Sequence, residues 1–109
     1  MELAFEAKAL RSICESEAEA KRALGCRVAE TLKHRLADLR AATSVEDLVA
    51  GQPRNLGGDD LHHMAVDLSD VCRMVFCANH ARNPTTDAGD IDWSRVSRVK
   101  ILRIEEDNA

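Results

Sequence analysis

The alternation of apolar and polar side chains between His63 and Phe76 limits what this chain can fold into more than any other stretch. Met64, Val66 and Leu68 fall on one parity, and His63, Ala65 and Asp67 on the other. That is the period of two which sends successive side chains to opposite faces of a strand. Ser69-Asp70 interrupts the pattern, and Val71-Cys72-Arg73-Met74-Val75-Phe76 resumes it. Two such runs across a short polar turn predict an antiparallel hairpin, with a glycine-containing turn at Gly57-Gly58 in front of it. Met64, Val66 and Leu68 are the core candidates of the first strand. In the second strand Cys72, Met74 and Phe76 share one face, with Arg73, Val75 and Cys77 on the other. Arg73 therefore stands mid-strand in an apolar run, where an unpaired guanidinium is costly to bury. It needs a carboxylate, a carbonyl or a phosphate.

The chain before the hairpin reads as helical. Met1 to Phe5 predicts a short edge strand, and a first helix follows from about Ala7, with Leu10, Ile13 and Cys14 at the spacing of one buried face. Ser16 with Glu19 three residues on forms a capping box that opens a second helix. From there to Ala42 a stripe of Ala20, Leu24, Val28, Leu32, Leu36 and Leu39 predicts packing against a sheet, with Gly25 weakening or splitting the helix. Glu17 with Lys21 and Glu30 with His34 fall four apart on its solvent side. Ser44 before Val45-Glu46-Asp47-Leu48 caps a further helical turn, ended by Gly51 and Pro53. Beyond the hairpin, the turn formers of Asn79 to Trp93 predict a polar loop. Ser94 to Ile104 predicts a last strand carrying Arg95, Arg98, Lys100 and Arg103.

This order of helices followed by strands, in 109 residues, predicts one α+β domain over 1–109 rather than alternating βαβ units. No apolar run approaches the roughly 18 residues of a membrane span, and Glu2 and Glu6 stand where a signal peptide would be basic and then apolar. A cytoplasmic protein without a membrane role is expected. Fifteen Lys+Arg against nineteen Asp+Glu give a net charge of -4, so any nucleic-acid binding must be local. The basic last strand is the one dense candidate. It reads either as a solvated face balanced by acidic neighbours or as a phosphate-contacting surface, and Arg98 and Lys100 share a face. Cysteines 14, 26, 72 and 77 match neither zinc-ribbon nor redox spacings, so reduced, buried thiols are expected. The adjacent His62 and His63 point apart on a strand and cannot chelate one ion. No metal and no cofactor is expected.

The residues Leu56, Gly58, Asp59, Val66, Leu68, Arg73, Val75 and Phe76, with Arg35-Leu36-Ala37-Asp38-Leu39 and Val45-Glu46-Asp47-Leu48 upstream, resemble the RelE/ParE superfamily of bacterial toxins, and within it the HigB-like branch. The insertion ending Gly89-Asp90-Ile91-Asp92-Trp93-Ser94-Arg95-Val96 is similar to one in a subset of that branch. The resemblance implies a RelE-like fold, with an N-terminal strand and helices on one face of a small, mainly antiparallel sheet. It also implies a ribosome-dependent messenger endoribonuclease held inactive by a cognate antitoxin with a helix-turn-helix DNA-binding domain. In such enzymes the 2′-hydroxyl attacks the adjacent phosphate, forming 2′,3′-cyclic phosphate ends. The site needs a proton acceptor, a proton donor and cations for the extra negative charge.

By that resemblance Arg73 matches the strand arginine that meets the scissile phosphate. Arg54 occupies a position often held by histidine, and it supplies charge but no base. Asp107 matches an acidic residue near the C-terminus. His63 is the candidate for proton transfer, with His62, Arg98, Lys100 and Arg103 as RNA contacts. The departures are equally specific. Asp60 stands where relatives carry Arg or Lys, Met64 where they carry Trp, and Cys72 where they carry an aromatic. The end, Asp107-Asn108-Ala109, replaces an Asp-Tyr-His tail, and only Phe5, Phe76 and Trp93 remain to stack on a base. Three classes of function follow: the ribonuclease, a partner-binding protein without catalysis, and a ParE-like inhibitor of DNA gyrase.

Overall fold

The computed structural model describes residues 1–56 and 62–106. The Gly57-Gly58 turn, Asp59, Asp60, the candidate Asp107 and the last two residues lie outside them. Strand β1 (Glu2–Phe5) leads into helices α1 (Lys8–Glu15), α2 (Glu17–Leu24) and α3 (Cys26–Ala41). A 3-10 turn at Val45–Asp47 precedes β2 (Arg54–Asn55), β3 (His63–Asp67) and β4 (Cys72–Ala78). A second 3-10 turn at Trp93–Arg95 opens onto β5 (Arg98–Glu106).

Local chemistry sets the helical breaks. The Ser16 hydroxyl accepts the Glu19 backbone N–H at 3.3 Å and caps α2. The other half of the predicted box is replaced, with the Ser16 N–H donating to the Ser12 carbonyl and the Glu19 carboxylate meeting Arg22. Gly25 splits the long stripe into two helices: it adopts φ +84°, a region that side chains with a Cβ avoid. The consequence is a helical hairpin in place of one rod. Glu17 accordingly pairs with Lys33 across the hairpin at 2.9 Å instead of with Lys21, whereas Glu30 and His34 keep their predicted contact at 3.3 Å. Ser44 and Asp47 form a reciprocal capping box around the turn between them.

The five strands form one sheet in the order β1-β5-β4-β3-β2, antiparallel except for the β1–β5 pair. The hairpin register sets Val66 opposite Met74 and Asp67 opposite Arg73. Helices cover one face only, and the core lies between: Leu32, Leu36 and Leu39 of α3 meet Met64, Val66, Met74, Phe76, Val99 and Ile101. Each fully buried Leu, Val or Phe contributes about 1.5–3 kcal/mol from burial. Trp93 and Ile91 pack against the same core, so the polar loop is anchored at its end.

Two expectations need correction. The last strand starts at Arg98 and runs to Glu106, because Trp93–Arg95 is a 3-10 turn whose first N–H groups are held by Asp92. The loop is also fastened more firmly than its composition implies. Ser97 donates its backbone N–H to His80 Nε2 at 3.1 Å, and Arg95 Nη2 donates to the Thr85 carbonyl at 2.8 Å.

Candidate functional site

The sheet face turned away from the helices carries the charged groups. Ala65 and Val75, both completely buried, make its apolar floor. Around them the register lines up rows of side chains. Arg54, Ala65, Val75 and Arg103 follow one another across β2, β3, β4 and β5. Beside that row run Asp67, Arg73 and Glu105, and on its other side His63, Cys77 and Lys100.

A break in the ladder makes this arrangement. Phe76 pairs with Ile101 but Val75 pairs with Arg103, so Leu102 is an extra residue in β5. Uninterrupted alternation would set Arg103 opposite the buried Met74, and a bulge costs less than burying a guanidinium. With the bulge, Ile104 reaches the core side opposite Met74 and Arg103 and Glu105 join Lys100 on the open face.

Ion pairs then organise the row. Arg73 donates from Nε and Nη2 to one oxygen of Glu105, at 2.9 and 2.7 Å, and Arg103 Nε donates to the other oxygen. Burial pushes the Glu105 carboxyl up, but the hydrogen bonds and charges of Arg103 and Arg73 outweigh it and hold the group below its ordinary value. Next to them Arg54 Nη1 meets Asp67 Oδ1 at 3.0 Å. Asp67 is itself fixed through its backbone: its N–H donates to the Gly51 carbonyl at 2.6 Å, and its carbonyl accepts from Arg35 Nε at 3.2 Å.

The predicted residues divide on this surface. Arg54, Arg73 and Arg103 come together. His63 opens β3 opposite Cys77, and Cys77 lies four residues along β4 from Arg73, a rise of roughly 13 Å. That is beyond hydrogen-bond reach of an anion held at Arg73. His62 precedes the strand and is exposed. With His63, Cys77, Asn83 and Ile91 it lines a shallow recess at the far end of the face. Arg98 and Lys100 point to Glu2 at 3.3 Å and Glu6 at 3.4 Å, the balanced-face alternative read from the sequence. Asp107 follows β5 outside the described residues.

Two of the three stacking candidates lie away from Arg54, Arg73 and Arg103. Phe76 is completely buried, Phe5 has the Arg11 guanidinium 5.7 Å from its ring centroid, and Trp93 is half-buried against the core, lining a shallow groove beside Arg54 and Asn55. All four cysteines are free, but Cys26 is exposed, contrary to the expectation of buried thiols. Burial pushes the Cys77 thiol up, which makes it a poor nucleophile. Among the described residues no three His, Cys, Asp or Glu side chains converge as metal ligands, and no helix is long and apolar enough to cross a membrane. Sequence reasoning missed Glu105 and Asp67 as members of the site. Glu105 fell beyond the predicted strand end, and the bulge that aims it leaves no mark in the pattern.

No protein-family model and no curated protein matches the sequence. Solved structures do match it. A YoeB/ParE toxin from Agrobacterium tumefaciens superposes with a TM-score of 0.62 over 98% of this chain and 99% of that one, at 12% identity. A YoeB-YefM complex from Staphylococcus aureus gives 0.60 over 96% and 94% at 10% identity. A heterotetrameric YoeB-YefM toxin-antitoxin complex from the same organism gives 0.58 over 96% and 94% at 10% identity. The chain thus has the α+β fold of YoeB/ParE toxins, the RelE-like fold that the resemblance implies.

Proposed function

We propose that this chain is the toxin of a type II toxin-antitoxin pair, a ribosome-dependent messenger endoribonuclease of the HigB-like branch acting in the cytoplasm. The observation that carries the reading is the cluster of three arginines on two adjoining rows of the open face, Arg54 and Arg103 on one and Arg73 on the next. Arg73 has the role of holding the scissile phosphate, and Arg54 and Arg103, from the adjoining row, take up the charge that develops as the 2′-hydroxyl attacks. The chemistry needs no metal. Asp107, two residues beyond Glu105, is the candidate for proton transfer, and His63 and His62, remote from Arg73, suit a neighbouring nucleotide better than the reacting one. Lys100 and Arg98 extend the basic track along the strand, each already beside a carboxylate. The partner is a cognate antitoxin carrying a helix-turn-helix domain. Support for an antitoxin comes from the YoeB-YefM complexes among the structural matches.

The deciding experiment adds the purified chain to ribosomes programmed with a defined messenger and maps new 5′ ends by primer extension. Cleavage that requires ribosomes and is lost in Arg73→Ala is the expected result. A second reading, a partner-binding protein without catalysis, is favoured by the carboxylates beside every strand arginine and by the lack of an aromatic among the described residues of the open face. It predicts antitoxin binding with no new 5′ ends at any ratio of protein to ribosome.

A further inference from the structure

Glu105 stands between two members of the arginine cluster. Each of its two oxygens is taken by a different guanidinium, one by Arg73 through two N–H groups and the other by Arg103. Two acceptor oxygens on one anionic centre, each meeting its own guanidinium, is also what a phosphodiester presents through its non-bridging oxygens. The pair sits beside the fully buried floor of Ala65 and Val75, where the lowered dielectric strengthens its hold on any anion. The carboxylate is nevertheless within reach of water, at 28% exposure, and β5 ends one residue later at Glu106.

We propose that Glu105 is an internal phosphate surrogate: it occupies the anion seat between Arg73 and Arg103 and must swing out before a phosphate group can enter. The contact is autoinhibitory. It keeps two guanidiniums oriented and charge-balanced in the absence of substrate, and it sets a threshold that a weakly held anion does not cross. Neighbouring charges shape the exchange. Asp67 stands opposite Arg73 across the hairpin and is engaged by Arg54, so three arginines face two carboxylates on the adjoining rows. A polyanion with several phosphates in a row replaces Glu105 more readily than an isolated phosphate, because its other charges reach Arg54 and Lys100. The inference deepens the proposed RNA-facing role of this surface and rests on it for the identity of the natural anion. The exchange itself can be tested without ribosomes or antitoxin.

The probe is inorganic phosphate at neutral pH, followed through the Nε–Hε NMR signals of Arg73 and Arg103. Wild type is expected to respond weakly. Glu105→Gln is expected to reach half-saturation at roughly tenfold lower phosphate, and adding Arg103→Ala should abolish that gain. A Glu105→Gln chain that titrates like wild type overturns the proposal, as does a gain that survives without Arg103. Should the variant fail to fold, the wild type carries the test. Saturating phosphate must move the Glu105 carboxyl titration up toward an ordinary glutamate, and an unmoved titration overturns the proposal. Phosphate gain without messenger cleavage would refute the nuclease reading and leave this exchange standing; cleavage without the gain would do the reverse.

Discussion

Arg73 and Arg98 both make ion pairs on β-strands, yet their surroundings separate them. The Arg73 side chain is 19% exposed and bridges to a carboxylate that a second arginine also holds. Arg98 is 58% exposed and meets Glu2 at 3.3 Å in water. Arg73→Ala is therefore expected to lower stability by about 1–3 kcal/mol, and Arg98→Ala by less than about 0.5 kcal/mol. Urea midpoints for the two variants check the contrast. Acid should act on the same group: the Glu105 carboxyl is depressed in the folded chain, so its contribution is complete above the ordinary glutamate range. It is lost as pH falls through the depressed value. An acid titration of stability should be flatter below pH ~4.5 in Glu105→Gln than in wild type. The cysteines give a test at the other end of the scale. Burial pushes the Cys14 thiol up from 9.0 to about 11, so between those values an unfolded chain releases a proton that the folded chain keeps. Stability should fall with rising pH across that window, less so in Cys14→Ala, and an alkylating reagent at pH 8 should modify exposed Cys26 well before Cys14.

Elements depend on a few positions where side-chain size is not negotiable. Gly51 combines φ +84° with a tight approach, since a Cβ there would lie 2.7 Å from Arg35 Nε and 3.1 Å from the Asp67 carbonyl. Gly51→Ala should cost about 1–3 kcal/mol and, by displacing Asp67, loosen its pairing with Arg54. A lower melting temperature together with a disturbed Arg54 NMR signal would confirm the route. On α3, Leu36→Ala removes a side chain only 1% exposed and should cost about 2–5 kcal/mol by thermal or urea unfolding. The elements show why legibility was uneven. The hairpin followed from strict alternation between Met64 and Phe76, and the helix starts from Ser16 and Ser44, because those signals are local. The bulge at Leu102 was hidden, because what forces it is the pairing of β5 with Met74 and Phe76 of β4, a contact distant in sequence. Hence Arg73 could be read as needing an anion, while the identity of that anion, Glu105, could not.

At the scale of the whole molecule, one face of the sheet is spent on the core and the other on charge. The net charge is -4, so on the proposed function the arginine cluster is where a polyanion would enter. Binding of messenger fragments should accordingly weaken with added salt, with a log–log slope no steeper than about −2, because three arginines neutralise about three phosphates of a single strand. The β1–β5 pair adds a temporal consequence. Strand β1 is made well before its ladder partner β5, which lies between β1 and β4. A nascent chain therefore carries β1 and the outer edge of β4 unmatched until β5 has emerged, and the arginine cluster is incomplete until then. A product cut short before β5 would carry neither a continuous sheet nor the bridge from Arg73 through Glu105 to Arg103.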